Sequence, residues 1–332
     1  MVRKETSVEV AGESVRISSP DKIMYPQQGW TKLDVVEHFV ACSDGALGGV
    51  FGRPCLLKRW PNGVEQEPFF QKRAPASAGE RVAIAYPSGR TAGWFVPRSP
   101  ADVVWMAQMN CVDLNPWSSR VEHLEQPDEL RIDLDPTPQA TFVDVRDVAL
   151  AVRPVLEQHD LIGWPKTSGS RGFHIYVRIK PEWGFRQVRR AALALARAVE
   201  AEVPDIATSE WWKEDRHGVF IDYNQNARDH TIASAYSVRP TGLVSAPVSW
   251  DEVPDIEPQD FPMAGFADRY ERVGDLMEAM DETSGDITSL LDLADQQDGG
   301  VEIKEYEPPS EVRLQSREEL RNWWRETNDR DI

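Results

Sequence analysis

ELRIDLDP occupies residues 129–136, and its reading decides the fold. Successive side chains of an extended chain point to opposite faces, so residues two apart share a face. Ile132 and Leu134 are therefore predicted to face a core, with Asp133 and Asp135 together on the other side. Two neighbouring carboxylates repel unless a divalent metal, an Arg or Lys, or a shared proton lies between them. Alone, Asp-x-Asp is a weak signal, since an Asp near a strand end often caps the next loop, and Pro136 fits that reading. A third acid, Asp222, lies in VFIDYNQ at the polar edge of another apolar strand. Three carboxylates on neighbouring strands can hold two divalent cations about 3.5–4 Å apart, the arrangement used for in-line phosphoryl transfer. Hard oxygen ligands select Mg²⁺ or Mn²⁺ over zinc.

Outward from this strand, helical and extended patterns interleave without the even βαβ rhythm of a doubly wound sheet, which indicates an α+β fold. A helix is expected over residues 31–40, capped by Thr31, with Leu33, Val36, Phe39 and Val40 on one face. Residues 54–60 and 68–72 read as strands joined by a turn at Asn62-Gly63. Ser99 and Pro100 open a second helix, and Val145, Val148, Val152 and Val155 mark a third over 142–160 that Pro154 should end or kink. Strands over 172–179 and 218–226 bracket the clearest helix, 186–202. Past Trp250 the chain is Pro- and Asp-rich. A helix is expected near 268–280, a flexible linker over 292–311, and a last helix over 316–326 with the capping pair Ser316 and Glu319.

Hydrophobic content of 41% and charged content of 28% are those of a soluble globular protein. No apolar run reaches export or membrane-spanning length, and Cys42, Cys55 and Cys111 are too far apart for a zinc ribbon. A cytoplasmic, nucleoid-associated location with reduced thiols is the expectation. The net charge of −18 is awkward for a nucleic-acid partner, but residues 281–332 hold 15 Asp/Glu against 6 Lys/Arg, half of the excess. DNA contact must then rely on a local basic cleft.

Two further stretches carry chemistry. In PKTSGSRGFHIYV (165–177) Ser168, Gly169, Ser170 and Gly172 permit close backbone approach to an anion, Lys166 and Arg171 add positive charge, and His174 opens the next strand. Small residues, hydroxyls and cations together suit a triphosphate; the alternative is a solvated turn with a surface His. In residues 55–75, Lys58, Arg59, Lys72 and Arg73 bracket Phe69-Phe70. Adjacent rings on a strand face opposite ways, so one is expected outside, where it suits base stacking; the alternative is a strand buried on both faces. Trp211, Trp212, Trp323 and Trp324 read as packing residues, and His217 and His230 as surface positions.

These stretches, together with SSPDKIMYP (18–26), NPWSSR (115–120), FIDYNQNAR (220–228) and AYSVRP (235–240), run in an order that resembles the polymerase domain of bacterial ligase D and its stand-alone relatives, in the archaeo-eukaryotic primase superfamily. The resemblance covers Ser18 to Trp250. It implies a primase-polymerase fold, two mixed or antiparallel sheet subdomains flanked by helices with the active site between them. Residues 1–280 would form the catalytic domain, and 281–332 an acidic, partly flexible extension. Asp133, Asp135 and Asp222 match the family's metal-binding acids, for two Mn²⁺ or Mg²⁺ ions. Ser168 and His174 match its triphosphate contacts, with Lys58, Lys166, Arg171, Gln225 and Arg239 expected beside them. Phe69 and Phe70 match the rings that stack on the template, and Lys22 and Lys32 the lysines that grip a 5′-phosphate across a gap.

The implied activity is template-directed primer extension and short-gap filling in bacterial DNA repair, by a monomer that accepts or prefers ribonucleotides over deoxyribonucleotides. A separate ligase or end-binding protein is the expected partner. Two departures stand out. Ser19 replaces the family's Asn three residues before Lys22, and Asn115 stands where a His commonly precedes Pro. The rival readings are a metal-dependent nuclease or phosphohydrolase, which needs no triphosphate pocket, and a non-catalytic nucleic-acid-binding homologue, which needs no metal.

Overall fold

In the computed structural model, which describes residues 4–85 and 91–298, the chain opens with the hairpin β1 (Glu5–Val10) and β2 (Glu13–Ser18). The short pair β3 (Ile23–Tyr25) and β4 (Trp30–Thr31) leads into α1 (Lys32–Ala41) and α2 (Ser43–Gly48). There follow β5 (Cys55–Arg59), β6 (Phe69–Gln71), β7 (Arg81–Ala85), β8 (Thr91–Phe95), α3 (Pro100–Gln108) and β9 (Asn115–Pro116). The second half runs β10 (Glu129–Pro136), α4 (Phe142–Gln158), β11 (Gly163–Thr167), β12 (Phe173–Arg178), α5 (Phe185–Glu202), β13 (Ala207–Thr208) and β14 (Val219–Asp222), closing with α6 (Phe266–Val273) and α7 (Thr288–Gln297).

Two sheets organise the molecule. The first has the order β11-β12-β10-β14-β13, antiparallel except where β13 meets β14. The second runs β6-β5-β8-β7, with β9 also on β5. This is the α+β architecture expected of the sequence. β10 lies at the centre of the first sheet because Leu130, Ile132 and Leu134 are fully apolar on one face, which joins Val145, Val148 and Val152 of α4 and Val188, Ala192 and Leu195 of α5 in one core. Each such side chain contributes about 1.5–3 kcal/mol on burial.

The helix caps follow the sequence. Thr31 and Asp34 bond reciprocally at the start of α1, as Thr141 and Asp144 do at α4. The face of α1 is shifted from the one expected: Val35, Val36, His38 and Phe39 are buried, whereas Leu33 and Val40 are half-buried. Pro154 does not end α4. The last turn persists because Val155 and Leu156 are buried in the core and hold it there.

Near the C-terminal end three expectations are corrected. The helix expected to reach residue 280 stops at Val273, where Gly274 takes a left-handed φ of 71°. The linker composition over 292–297 is instead part of α7, whose Leu290 and Ala294 are buried. Residues 281–298 hold to the body by charge: Asp281 pairs with Arg120 and Arg178, Asp286 with Lys180, and Asp298 with Arg190 and Arg197. Acidic composition suggested a solvated tail here because it ignores the arginines on the facing surface. The helix expected over 316–326, with Trp323 and Trp324, lies outside the described residues. No described helix is long and apolar enough to cross a membrane.

Candidate active site

The register of the first sheet builds the site. Lys166 of β11 pairs with His174 of β12, His174 with Asp133 of β10, and Asp133 with Asp222 of β14. Directly paired residues share a face, so these four side chains form one polar row across four strands, with Asp135 two residues along. One oxygen from each of Asp133, Asp135 and Asp222 lies within 4.8 Å of the others.

Nearby cations answer them only in part: Lys166 and Arg239 act on Asp133, and Arg216, Arg239 and Arg171 on Asp135, without reversing the effect of burial. Among the described residues no Lys or Arg pairs with any of the three, and the nearest cationic candidate is His174, with Nε2 at 3.3 Å from Asp133 Oδ1. Burial, then repulsion from Asp135 and Asp222, raises Asp133 well above the usual carboxylate range. Asp135 is raised by burial and by Asp222. Asp222 is held in place by Asn224 N at 2.9 Å and Gln225 Nε2 at 3.3 Å. A set of hard oxygens this close, with no Lys or Arg ion pair among the described residues, fits divalent cations.

The hydrogen bonds around Lys166 orient His174. The lysine was expected at the triphosphate; instead its side chain is wholly buried behind the cavity wall, at 0% exposure. Its ammonium has three hydrogens and three neighbours: Ala233 O at 2.9 Å, Ser245 Oγ at 2.6 Å and His174 Nδ1 at 2.6 Å. Ser245 Oγ already donates to Thr167 O at 2.8 Å, so it accepts from Lys166. Burial, then Arg239, pushes the Lys166 pKa well down; while the ammonium keeps its proton, Nδ1 accepts and Nε2 carries the hydrogen that faces Asp133. Burial first, then Lys166, pushes the His174 pKa well down and keeps the ring neutral. The alternative of a surface His is corrected.

Above the row lies a cavity of about 920 Å³, walled by both sheets. Lys58, Ser168, Arg171, His174, Gln225 and Arg239 all line it, as expected, together with Phe70 and Asn115. The glycine-rich loop works differently from the expectation. Its amides at Ser170 and Gly172 donate to Ser168 Oγ at 3.2 and 3.0 Å, which takes these two amides away from an anion and leaves the Ser168 hydroxyl hydrogen free of them. Gly172 is needed for packing, since a Cβ there would meet Leu134 O at 2.5 Å.

Sequence reasoning missed Lys213 and Arg216, which also line the cavity. Arg216 lies over the Phe220 ring, 3.3 Å from its centroid, beside Asp135. They come from an irregular loop where no periodicity marks a site. Trp211, expected to pack, is 40% exposed in that same loop, while His217 and His230 are exposed as expected.

Both aromatic rings of β6 are exposed, Phe69 at 55% and Phe70 at 58%. β6 is an edge strand and both of its rings stay open, so the two-sided burial that was the alternative does not occur. Away from the cavity, Lys22, Lys32 and Arg59 cluster with no carboxylate partner among the described residues. Lys22 Nζ donates to Asn110 Oδ1 at 3.0 Å and Lys32 Nζ to Ser18 O at 2.9 Å. Burial, then Lys22 and Arg59, pushes the Lys32 pKa down to about 8. Ser19 beside them has φ of 53°, a conformation that Asn tolerates better than Ser.

The family model of the LigD primase-polymerase domain matches residues 31–277. A multifunctional non-homologous end joining protein LigD of Mycolicibacterium smegmatis is 34% identical over 279 residues, covering 81% of this chain and 36% of that protein. The bifunctional non-homologous end joining protein LigD of Bacillus subtilis is 27% identical over 265 residues, covering 78% of this chain and 43% of the other. The chain thus spans less than half the length of these relatives. A solved polymerase domain from Mycobacterium tuberculosis ligase D, in complex with DNA, matches with a TM-score of 0.75 at 32% identity, covering 81% of this chain and 99% of that one.

Proposed function

This chain belongs to the LigD primase-polymerase domain family, a family of nucleotidyltransferases, and on that premise we propose that it extends a DNA primer across short template gaps during bacterial end joining or excision repair. One observation carries the reading: three carboxylates, each with an oxygen within 4.8 Å of the others and none ion-paired to a described Lys or Arg, stand together. Two of them, Asp133 and Asp135, line a cavity that Lys58, Arg171, Arg216 and Arg239 line as well. A nucleoside triphosphate with divalent cations supplies both missing charges.

Asp133, Asp135 and Asp222 would hold two Mn²⁺ or Mg²⁺ ions, which when bound activate the primer 3′-hydroxyl and neutralise the leaving pyrophosphate. The chain's own groups do the rest. Ser168 and the Nε2–H of His174 donate to phosphate oxygens, and Lys58, Arg171 and Arg239 spread positive charge along the polyphosphate. Gln225 steadies Asp222. Phe69 and Phe70, open on both faces of an edge strand, offer stacking surfaces for template bases. Lys22 and Lys32, with Arg59, suit the 5′-phosphate of a downstream strand. Ribonucleotides are accepted along with deoxyribonucleotides, and a separate ligase seals the product.

Primer extension on a gapped duplex with Mn²⁺ tests this directly. Incorporation is expected for the wild type and none for Asp133→Ala. A folded wild-type protein that incorporates nothing, or that degrades the primer instead, overturns the reading.

A further inference from the structure

Asp113 takes no place in the chemistry above, yet it is a fully buried carboxylate, at 0% exposure, directly behind the cavity wall. Its Oδ2 accepts from Lys58 Nζ at 2.9 Å and lies 3.9 Å from Arg239 Nε, while its Oδ1 has no hydrogen-bond partner. A carboxylate withdrawn from water is costly unless cations stand against it. The cations that do so here are two that face the cavity.

Those two cations reach the site from separate parts of the chain. Lys58 comes from β5 of the second sheet, and Arg239 from the irregular segment after β14. Like charges converging on one wall repel and relax toward solvent when no anion lies between them. The remaining bonds of Arg239 do not supply that anion: Nη1 donates to Ser168 O at 3.4 Å, and Nε has no hydrogen-bond partner. Lys58 otherwise lies over the Trp60 ring, 5.2 Å from its centroid.

We propose that Asp113 is a positioning residue: a buried counter-charge that fixes Lys58 and Arg239 as a preset pair of cations for the polyphosphate of an incoming nucleotide. The proposal rests on the polymerase reading of the cavity. Asp113 touches no substrate, and it acts by removing the ordering cost that two mobile cations would otherwise bear on binding. Lys58 contributes to nucleotide affinity through Asp113 and contributes little without it.

The test is a double-mutant cycle in primer extension with the full chain. Asp113→Asn keeps the shape and removes the charge. It is expected to raise KM for the nucleotide roughly tenfold, the loss of one charged hydrogen bond, with kcat and the KM for DNA within about twofold of wild type. Adding Lys58→Ala to Asp113→Asn should then cost far less than Lys58→Ala costs alone. An unchanged nucleotide KM in Asp113→Asn, or costs that multiply in the double variant, overturns the proposal.

Should Asp113→Asn fail to fold, the wild-type protein decides. In a complex with a non-hydrolysable nucleotide and Mn²⁺, Lys58 Nζ must stay bonded to Asp113 while it touches phosphate. A lysine that leaves Asp113 on binding overturns the proposal. A wild type that is inactive although folded is a failure of the polymerase reading itself, and the proposal falls with it.

Discussion

Strand β10 carries acids at both ends, and the two ends treat them in opposite ways. At its start, Asp128 and Glu129 are buried among arginines. Arg53 reaches Asp128 at 2.6 Å and Glu129 at 3.0 Å, Arg131 reaches Glu129 at 2.7 Å, and Arg178 bridges both at 3.2 and 3.1 Å. Arg120 joins Asp128 to Asp281. At the other end Asp133 and Asp135 stand beside Asp222 and a neutral His174, with no arginine in ion-pair contact among the described residues. Burial pushes Asp128, Glu129, Asp133 and Asp135 upward, but at the first end Arg53 and Arg178 reverse it and hold Asp128 down at about 2. At the far end nothing reverses it. Charge that holds the fold together is answered within the chain, whereas charge kept for a ligand is left unanswered.

The strongest way to break this contrast is to remove one answer. Arg53→Ala strands Asp128 and Glu129 in the interior and is expected to cost about 3–5 kcal/mol of unfolding free energy, read by urea denaturation. A loss below about 1 kcal/mol would show that water already screens the cluster. Acid titration comes next. Asp128 has its folded pKa depressed from 3.8 to about 2, so its contribution is present above the unfolded value and disappears as pH falls through that window. It amounts to about 2 kcal/mol, and Asp128→Asn should flatten the stability curve between pH 4 and pH 2.

Asp133→Asn should do the reverse. A raised folded pKa gives stability below the unfolded value that is lost as pH rises. The metal-free variant should therefore be more stable than wild type by about 1 kcal/mol at pH 7, with the gain vanishing near pH 4. Millimolar Mn²⁺ should raise the Tm of wild type and leave that of the variant where it is. A metal-free wild type as stable as Asp133→Asn at pH 7 would mean the carboxylates are already satisfied.

The polar face of β10 was legible because period-2 alternation fixes which side chains share a face, and Asp222 was legible as the acid at a second strand end. The partnership among them was not, because register is a long-range property: only pairing places Asp222 on one side of Asp133 and His174 on the other. Lys166 shows the cost. Its place in PKTSG suggested a phosphate contact, yet its pairing opposite His174 puts it in the buried part of the polar row, bonded to Ala233 O and Ser245 Oγ. Asp113 left no trace in the sequence, since a buried counter-charge looks like any Asp in a loop until the cations it holds are seen. Residues 288–297 misled for a related reason: acidic composition argued for a solvated chain, while Leu290 and Ala294 had a groove to fill.

The contrast should also hold with its sign reversed. Lys22, Lys32 and Arg59 are three cations with no acid among them, the mirror image of the carboxylate row, and on the same logic they await an anion. Lys32 is the most exposed to test, because its pKa is pushed down to about 8. It is charged below that value and loses its charge above it, so the preference for a 5′-phosphorylated over a 5′-hydroxyl downstream strand should fall as pH rises from 7 to 9. The expected change is small, about threefold in binding measured by fluorescence anisotropy, because Lys22 and Arg59 stand beside it as further phosphate partners and a bound phosphate holds the proton on Lys32. Lys32→Arg, which cannot lose its proton in this range, should remove the slope without removing the preference. A slope that survives in Lys32→Arg would place the titrating group elsewhere and break the symmetry between the two clusters.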